Sequence, residues 1–230
     1  MQAVILAGGL GTRLRSVVSN LPKAMAPIGG RPFLEYLLEN MRKQNVLDVT
    51  LAVGHMRDAI IQHFGDAWHS LNISYSVETE PLGTGGALQR ALRAMPLRPT
   101  FVLNGDTWLP INFALMYAQH TGAKAAVTVA VCPVVDVARY GAVQIEHGLI
   151  TAFHEKGSSG PGMINGGVYL VDPSVFDTVT LPENFSFERD FLMAQTAKLK
   201  LGAFVTGEDF IDIGVPDDYA RAQDELQRKG

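Results

Sequence analysis

The first half of the chain alternates short apolar runs with amphipathic segments. The apolar runs predict strands at 2–6, 48–53, 72–78 and 100–104. Between them, apolar residues recur at the spacing of one helix face in the segments 32–44, 57–64 and 84–95. Because strands and helices alternate, we expect a mostly parallel sheet with helices on both faces.

The second half is richer in β-type runs. Strands are predicted at 125–132, 142–146, 149–154 and 163–171. A helix is predicted over 187–199, and Pro216 is typical of the first position of a last helix that reaches about residue 228. Together the two halves predict one α/β domain, with a Rossmann-like, mostly parallel mixed sheet flanked by helices.

A glycine-rich turn follows the first predicted strand. Leu6 and Ala7 lead into the segment Gly8-Gly-Leu-Gly-Thr-Arg13, and Arg15 and Lys23 follow at short intervals. Glycines let backbone N–H groups approach an anion closely, and arginine and lysine add positive charge. A strand, a glycine-rich turn and nearby cations together predict a site for a polyphosphate.

The spacing of this turn excludes two familiar phosphate-binding motifs. No lysine follows the glycines as a Walker A loop requires. A dinucleotide-binding turn needs a third glycine where this chain has Leu14, and a carboxylate about 20 positions further on, where this chain has Lys23 and Pro27. The turn therefore favours a nucleoside triphosphate over a dinucleotide.

The composition limits the classes of partner and the cellular location that we expect for the protein. Apolar residues make up 47% of the 230 positions, and the net charge of −4 does not favour nucleic acid or an anionic membrane as a partner. Apolar runs stay well short of the ~20 residues that a membrane span needs. The single cysteine, Cys132, excludes intramolecular disulfides. With a strand at the N-terminus in place of a signal peptide, we expect a cytoplasmic protein.

Two carboxylates occupy unusual places in apolar strands. Asp106 ends the run 101–103 after Asn104-Gly105, and Asp212 lies inside the run 210–213. A buried carboxylate is costly unless it is paired or bound to a cation. The pattern alone leaves open whether Asp212 caps a turn, meets an arginine or binds a metal ion.

The motifs along the chain resemble those of a known family. The turn Gly8–Arg13 together with Pro22-Lys23 is similar to the signature of the sugar-1-phosphate nucleotidylyltransferases, and further blocks match in the same order. They are Glu80-Pro-Leu-Gly-Thr-Gly-Gly86, Asn104-Gly-Asp106, Arg139-Tyr-Gly141, Glu155-Lys156, Asn165-Gly-Gly-Val-Tyr169 and Asp212-Ile-Gly-Val-Pro216. Within the family, the Glu80 block, Phe185-Ser-Phe-Glu188 and Phe210–Pro216 most resemble D-glycero-α-D-manno-heptose 1-phosphate guanylyltransferases.

The resemblance implies a GT-A-like nucleotidyltransferase domain over 1–230, with a nucleotide-binding half at 1–123 and a sugar-phosphate-binding half at 124–230. It implies that Asp106 and Asp212 hold Mg²⁺, and that the catalytic residues are Arg13, Lys23, Asp106 and Asp212. The implied nucleotide contacts are Leu6, Ala7, Gly8, Gly9, Gly11, Thr12, Arg13, Glu80, Pro81, Gly85 and Asn104. The implied sugar-phosphate contacts are Gly105, Gly141, Glu155, Lys156, Asn165 and Gly166.

We expect Glu80 to select the base of the nucleotide. A carboxylate can accept two hydrogen bonds from guanine, at N1–H and the exocyclic amino group, whereas uracil offers one N–H donor. This favours GTP. Gly85 and Gly86 leave space for the base, although a tightly packed helix N-terminus would require the same glycines.

The expected reaction is attack of a sugar 1-phosphate on the α-phosphorus of GTP, with release of pyrophosphate. Other pairings remain open, namely mannose 1-phosphate with GTP or N-acetylmuramate 1-phosphate with UTP. A non-catalytic nucleotide-sugar sensor is a remote alternative, because such proteins tend to lose the arginine or an aspartate that this chain retains. Homodimers are common in the family, and the sequence does not settle the oligomeric state.

Overall fold

The computed structural model describes residues 1–9, 21–207 and 210–228. Its strands are β1 (Gln2–Leu6), β2 (Pro27–Ile28), β3 (Arg31–Pro32), β4 (Asp48–Val53), β5 (Ala67–Trp68), β6 (Leu71–Val77), β7 (Thr100–Asn104), β8 (Thr107–Trp108), β9 (Val127–Val134), β10 (Val143–Glu146), β11 (Leu149–Phe153), β12 (Gly162–Val171), β13 (Leu201–Val205) and β14 (Ile211–Asp212). Its α-helices are α1 (Phe33–Lys43), α2 (Arg57–Phe64), α3 (Gly83–Arg93), α4 (Phe113–Ala123) and α5 (Pro216–Glu225). Short 3₁₀ helices cover Lys23–Met25 and Pro173–Thr178, and a π-helix covers Phe187–Met193.

One unit of the fold comprises Met1–Pro81, Leu103–Trp108 and Ile211–Gly230. Its strands β1, β4 and β6 are parallel, and β5 pairs antiparallel with β6 at the edge. Ala3, Val4 and Ile5 of β1 are fully buried, as expected for a parallel strand that is covered on both faces. The carboxyl ends of these parallel strands lie at one edge, where open α/β sheets bind their ligands.

The second unit comprises Leu82–Val102 and Leu109–Phe210. Strand β9 lies between β12, to which it is antiparallel, and β13, to which it is parallel. Strands β11 and β10 continue from β13 as antiparallel neighbours. The core of this unit is rich in aromatic side chains, among them Tyr169, Phe185, Phe187 and Phe191.

Most predicted elements lie where the sequence places them, and the fold class, a mostly parallel mixed sheet with flanking helices, is confirmed. The predicted helix over 187–199 is wrong in type and length, because the chain forms a π-helix that ends at Met193. Phe187 and Phe191 of this segment are fully buried, and their rings stack in the core with centroids 5.6 Å apart. The division into halves at residue 123 stays a prediction.

Candidate active site

Three charged side chains of the first unit meet at the ends of its strands. Lys23 Nζ lies 2.5 Å from Asp106 Oδ2 and 3.6 Å from Asp212 Oδ1. The Lys23 side chain is only 11% exposed, so its charge is largely withdrawn from water. Two carboxylates therefore share one cation, as the sequence pattern requires of carboxylates in apolar strands.

Backbone packing brings Asp106 to this place. Gly105 follows β7, and its N–H donates to the carbonyl oxygen of Leu6 at 2.9 Å. A Cβ on Gly105 would lie 2.6 Å from that oxygen, so only glycine lets the two strand ends approach this closely. The close approach of β1 and β7 therefore sets the position of Asp106.

A short strand pair brings Asp212 to the same place. Strands β8 and β14 are antiparallel, with Asp212 opposite Thr107, and the N–H of Ile213 donates to the carbonyl oxygen of Asp106 at 3.0 Å. Asp212 Oδ1 accepts a hydrogen bond from the N–H of Gly214 at 2.7 Å. Of the alternatives left open by the sequence, Asp212 both caps a turn and faces a cation, and that cation is a lysine.

The residues fit a magnesium ion. The ammonium of Lys23 shows that a cation is accommodated against both carboxylates. Within 1–9, 21–207 and 210–228, no cluster of three or more His, Cys, Asp or Glu residues could hold a metal by itself. Mg²⁺ is commonly held by one or two carboxylates with phosphate oxygens and water, so a two-aspartate site is sufficient when a nucleotide supplies the other ligands.

Glu78 is a candidate that the sequence reasoning missed. It directly follows β6, at the strand edge that also carries Gly8 and Gly54, and its N–H donates to the carbonyl oxygen of Val53 at 2.8 Å. A Cβ on Gly8 would lie 2.6 Å from Glu78 Oε1 and 3.3 Å from the backbone nitrogen of Gly54. The Glu78 carboxylate thus lies against the start of the glycine-rich turn, a position that its place at a strand end could have indicated.

The other predicted nucleotide contacts lie in several parts of the chain. Leu6, Ala7 and Gly8 lie at and beyond the carboxyl end of β1, and Asn104 ends β7. Glu80 and Pro81 are exposed beyond the same edge. A Cβ on Gly9 would meet nothing within 4 Å among the described residues. The predictions for Gly11, Thr12 and Arg13 lie outside the described residues.

The glycines predicted to face ligands in the second unit have packing roles. A Cβ on Gly85 would collide with the Phe185 ring, and one on Gly166 would collide with Leu109. Gly141 has φ +81°, and a Cβ there would collide with the carbonyl oxygen of His154. These contacts explain the glycines without a ligand, and their ligand roles stay predictions.

The polar sugar-phosphate candidates are all accessible to some degree. Glu155 and Lys156 are exposed after β11, and a Cβ on Gly141 would lie 3.6 Å from the backbone carbonyl carbon of Glu155. Asn165 is half-buried in β12; its Nδ2 donates to the Tyr169 hydroxyl at 2.9 Å, and its Oδ1 accepts from the N–H of Gly167 at 3.0 Å. These side chains supply the donors and acceptors that a sugar phosphate requires.

Comparison with known proteins identifies the family. The family model described as nucleotidyl transferase matches residues 2–229. The chain belongs to the nucleotidyl transferase family. This confirms the family predicted from the glycine-rich turn and the blocks that follow it.

Individual relatives show which members of the family this nucleotidyl transferase is similar to. It is 45% identical, over 99% of both chains, to D-glycero-alpha-D-manno-heptose 1-phosphate guanylyltransferase of Aneurinibacillus thermoaerophilus. It is 35% identical to mannose-1-phosphate guanyltransferase of Schizosaccharomyces pombe, over 95% of this chain but 62% of that protein. The crystal structure of HddC from Yersinia pseudotuberculosis complexed with GMP-PN matches with a TM-score of 0.86 and 36% identity, over 98% of this chain and 99% of that one.

No helix of this nucleotidyl transferase within 1–9, 21–207 and 210–228 combines the length and the apolar character needed to cross a bilayer.

Proposed function

We propose that this nucleotidyl transferase transfers GMP from GTP to D-glycero-α-D-manno-heptose 1-phosphate, forming GDP-heptose and pyrophosphate. The observation that carries the reaction class is the pair of aspartates, Asp106 and Asp212, around a single cation. The likeness to a heptose 1-phosphate guanylyltransferase over 99% of both chains supports the choice of substrates. Because GTP and sugar phosphates are cytoplasmic metabolites, we place the enzyme in the cytoplasm.

The reaction needs little acid–base chemistry from the protein. A phosphate monoester has a second pKa near 6, so the attacking sugar phosphate is mainly a dianion at neutral pH. The difficulty is to bring two anions together in line and to neutralise the charge between them. A site made of one lysine and two carboxylates suits this task.

Each of the four predicted catalytic residues has a distinct role in this proposal. Asp106 and Asp212 would hold Mg²⁺, which would supply positive charge beside the phosphates. Lys23, whose ammonium lies beside both carboxylates, is proposed to bind the α-phosphate and the incoming phosphate. Arg13 is proposed to hold the pyrophosphate leaving group, as implied by its place in the glycine-rich turn.

Base recognition is proposed to use a carboxylate after β6, and two glutamates compete for this role. Glu80 is exposed, whereas Glu78 is half-buried and its carboxylate lies beside Gly8 at the start of the phosphate-binding turn. A carboxylate that is partly withdrawn from water discriminates hydrogen-bond donors more strongly than an exposed one. We therefore add Glu78 to the candidates for reading the guanine N1–H and amino group.

The sugar phosphate is proposed to bind through Lys156, with Glu155 and Asn165 contacting sugar hydroxyls and Gly141 and Gly166 shaping the wall. The roles follow from the charges of these residues and from their places at the ends of β11 and within β12. Mannose 1-phosphate is the second candidate, because the S. pombe enzyme is 35% identical. It is the weaker one, since this chain spans only 62% of that enzyme.

A substrate panel tests this proposal. Pyrophosphate release would be measured with Mg²⁺ for GTP, ATP, UTP and CTP, each combined with heptose, mannose and N-acetylmuramate 1-phosphates. We expect release with GTP and D-glycero-α-D-manno-heptose 1-phosphate at a kcat/KM well above every other pair. A preference for mannose 1-phosphate or for UTP would replace the proposed substrates, and silence with all pairs would favour the sensor alternative.

A further inference from the structure

Strand β12 contains a bulge beside the predicted sugar-binding residue Asn165. The pairing of β12 with β9 shifts register between Asn165 and Tyr169, which oppose Val131 and Val129, respectively. Within the bulge Gly167 has φ +70°, and its N–H donates to Asn165 Oδ1 at 3.0 Å. Bulges often re-aim side chains next to active sites, so the direction of the Asn165 side chain depends on how this segment is held.

A hydrogen-bonded chain links Asn165 to a carboxylate. Asn165 Nδ2 donates to the Tyr169 hydroxyl at 2.9 Å, and that hydroxyl donates to Glu188 Oε1 at 3.0 Å. A phenol has one proton, so while Tyr169 gives it to Glu188 it accepts from Asn165. The amide of Asn165 is thereby held with its nitrogen towards Tyr169 and its oxygen towards Gly167, and among the described residues no acceptor is seen for its second N–H.

Glu188 is held in place by the π-helix in which it lies and by Thr84 of the block Glu80–Gly86. It is the second residue of the π-helix Phe187–Met193, a form of helix that recurs at functional sites. Its Oε2 accepts from Thr84 Oγ1 at 3.0 Å, and Thr84 Oγ1 accepts from the N–H of Phe187 at 2.9 Å. Thr84 is the second residue of α3 and precedes Gly85, a predicted nucleotide contact, so one carboxylate connects this helix start to Asn165.

We propose that Glu188 is a positioning residue for sugar 1-phosphate binding: acting through the Tyr169 hydroxyl, it holds the Asn165 amide in the orientation that contacts the sugar. The inference rests on the proposed function. A purely structural alternative exists, because Tyr169 also packs edge-on against Phe187 with ring centroids 5.1 Å apart. The two differ in outcome: a positioning role alters the KM for the sugar, whereas a packing role alters stability alone.

The test removes single links of the chain while preserving shape. Tyr169→Phe deletes the hydroxyl, and Glu188→Gln removes the charge and leaves one acceptor oxygen for the two hydroxyls of Tyr169 and Thr84. Both are expected to raise the KM for D-glycero-α-D-manno-heptose 1-phosphate roughly three- to tenfold, the value of one hydrogen bond, and to leave the KM for GTP unchanged. The double variant should show no more than the larger single effect, because both changes break one chain.

Tyr75→Phe is the matched control. It also removes a tyrosine hydroxyl, one that donates to the carbonyl oxygen of Gly65, and it should alter neither KM. A fall in Tm for Tyr169→Phe with both KM values unchanged, or a parallel rise in both, would overturn the inference. The unmodified protein separates the two proposals: if it is inactive, the proposed function fails and this inference fails with it.

Discussion

At the scale of single residues, the proposed transfer of GMP depends on Asp106, Asp212 and Lys23. The two aspartates could be predicted because each interrupts or ends an apolar strand, where an unpaired carboxylate is costly. Lys23 could be predicted from its spacing after the glycine-rich turn and from the family resemblance. The distances between these three residues could not be predicted from the sequence, because they depend on the packing of Gly105 on Leu6 and on the pairing of β8 with β14.

Asp106→Asn should lower kcat at least about 100-fold with little change in Tm. The substitution keeps the shape but removes a charge that the proposed metal requires, and losses of this size are typical for a preorganised electrostatic group. Steady-state pyrophosphate release and thermal unfolding would be measured together. Asp224→Asn, on the exposed face of α5, is the control and should behave as the unmodified protein. Near-normal turnover in Asp106→Asn would contradict the metal assignment.

Glu78 and Glu80 can be separated by their effects on base selectivity. Glu78→Gln is expected to reduce the GTP preference, measured as the ratio of kcat/KM for GTP and UTP, by roughly tenfold, because an amide offers one acceptor where a carboxylate offers two. Glu80→Gln serves as the comparison and should have the smaller effect, since Glu80 is exposed. The reverse ranking would return the base-reading role to Glu80.

At the scale of secondary structure, regular periodic segments were predictable and irregular ones were not. β1, β4 and α2 coincide with their predicted bounds because apolar spacing defines them. α4 was missed because its apolar residues cluster at 113–116 without a clear face, although Asn112 caps it by accepting from the N–H of Leu115. The π-helix could not be foreseen, since its register depends on aromatic packing in the core.

Gly85→Ala tests whether this glycine serves packing or the base. A Cβ there would displace the Phe185 ring, so we expect a loss of about 1–3 kcal/mol in the free energy of unfolding. Gly122→Ala in α4 is the matched control: nothing described lies within 4 Å of its Cβ, and alanine should add up to about 1 kcal/mol. Denaturant unfolding would be compared with GTP affinity. Unchanged stability in Gly85→Ala, with weaker GTP binding, would favour the base-space role.

At the scale of the whole molecule, the nucleotidyl transferase family model matches residues 2–229, and the single catalytic domain over 1–230 stays a prediction. The family and the fold class could be read from the order of many blocks along the chain. The sugar could not, because hydroxyl stereochemistry is read by side chains from separate segments. The hydrogen-bonded chain from Asn165 through Tyr169 to Glu188 likewise depends on tertiary packing rather than on spacing in sequence.

Cys132 reports on the integrity of the second unit. Burial raises the pKa of its thiol from 9.0 to about 11, so the group is neutral in the native protein near pH 8. We expect a thiol reagent at this pH to react only after denaturation, because both the low thiolate fraction and the complete burial of Cys132 protect it. Between pH 9 and 11 the unfolded chain loses this proton and the folded chain keeps it, so stability falls as pH rises. Rapid modification in native buffer would contradict this burial.

The most direct test of the central claim is identification of the products. Phosphorus NMR would follow the unmodified protein with Mg²⁺, GTP and D-glycero-α-D-manno-heptose 1-phosphate. The account predicts that the sugar phosphate and GTP signals disappear together while GDP-heptose and pyrophosphate appear in equal amounts. Persistence of the sugar phosphate signal, or release of GDP and inorganic phosphate in place of these products, would contradict it.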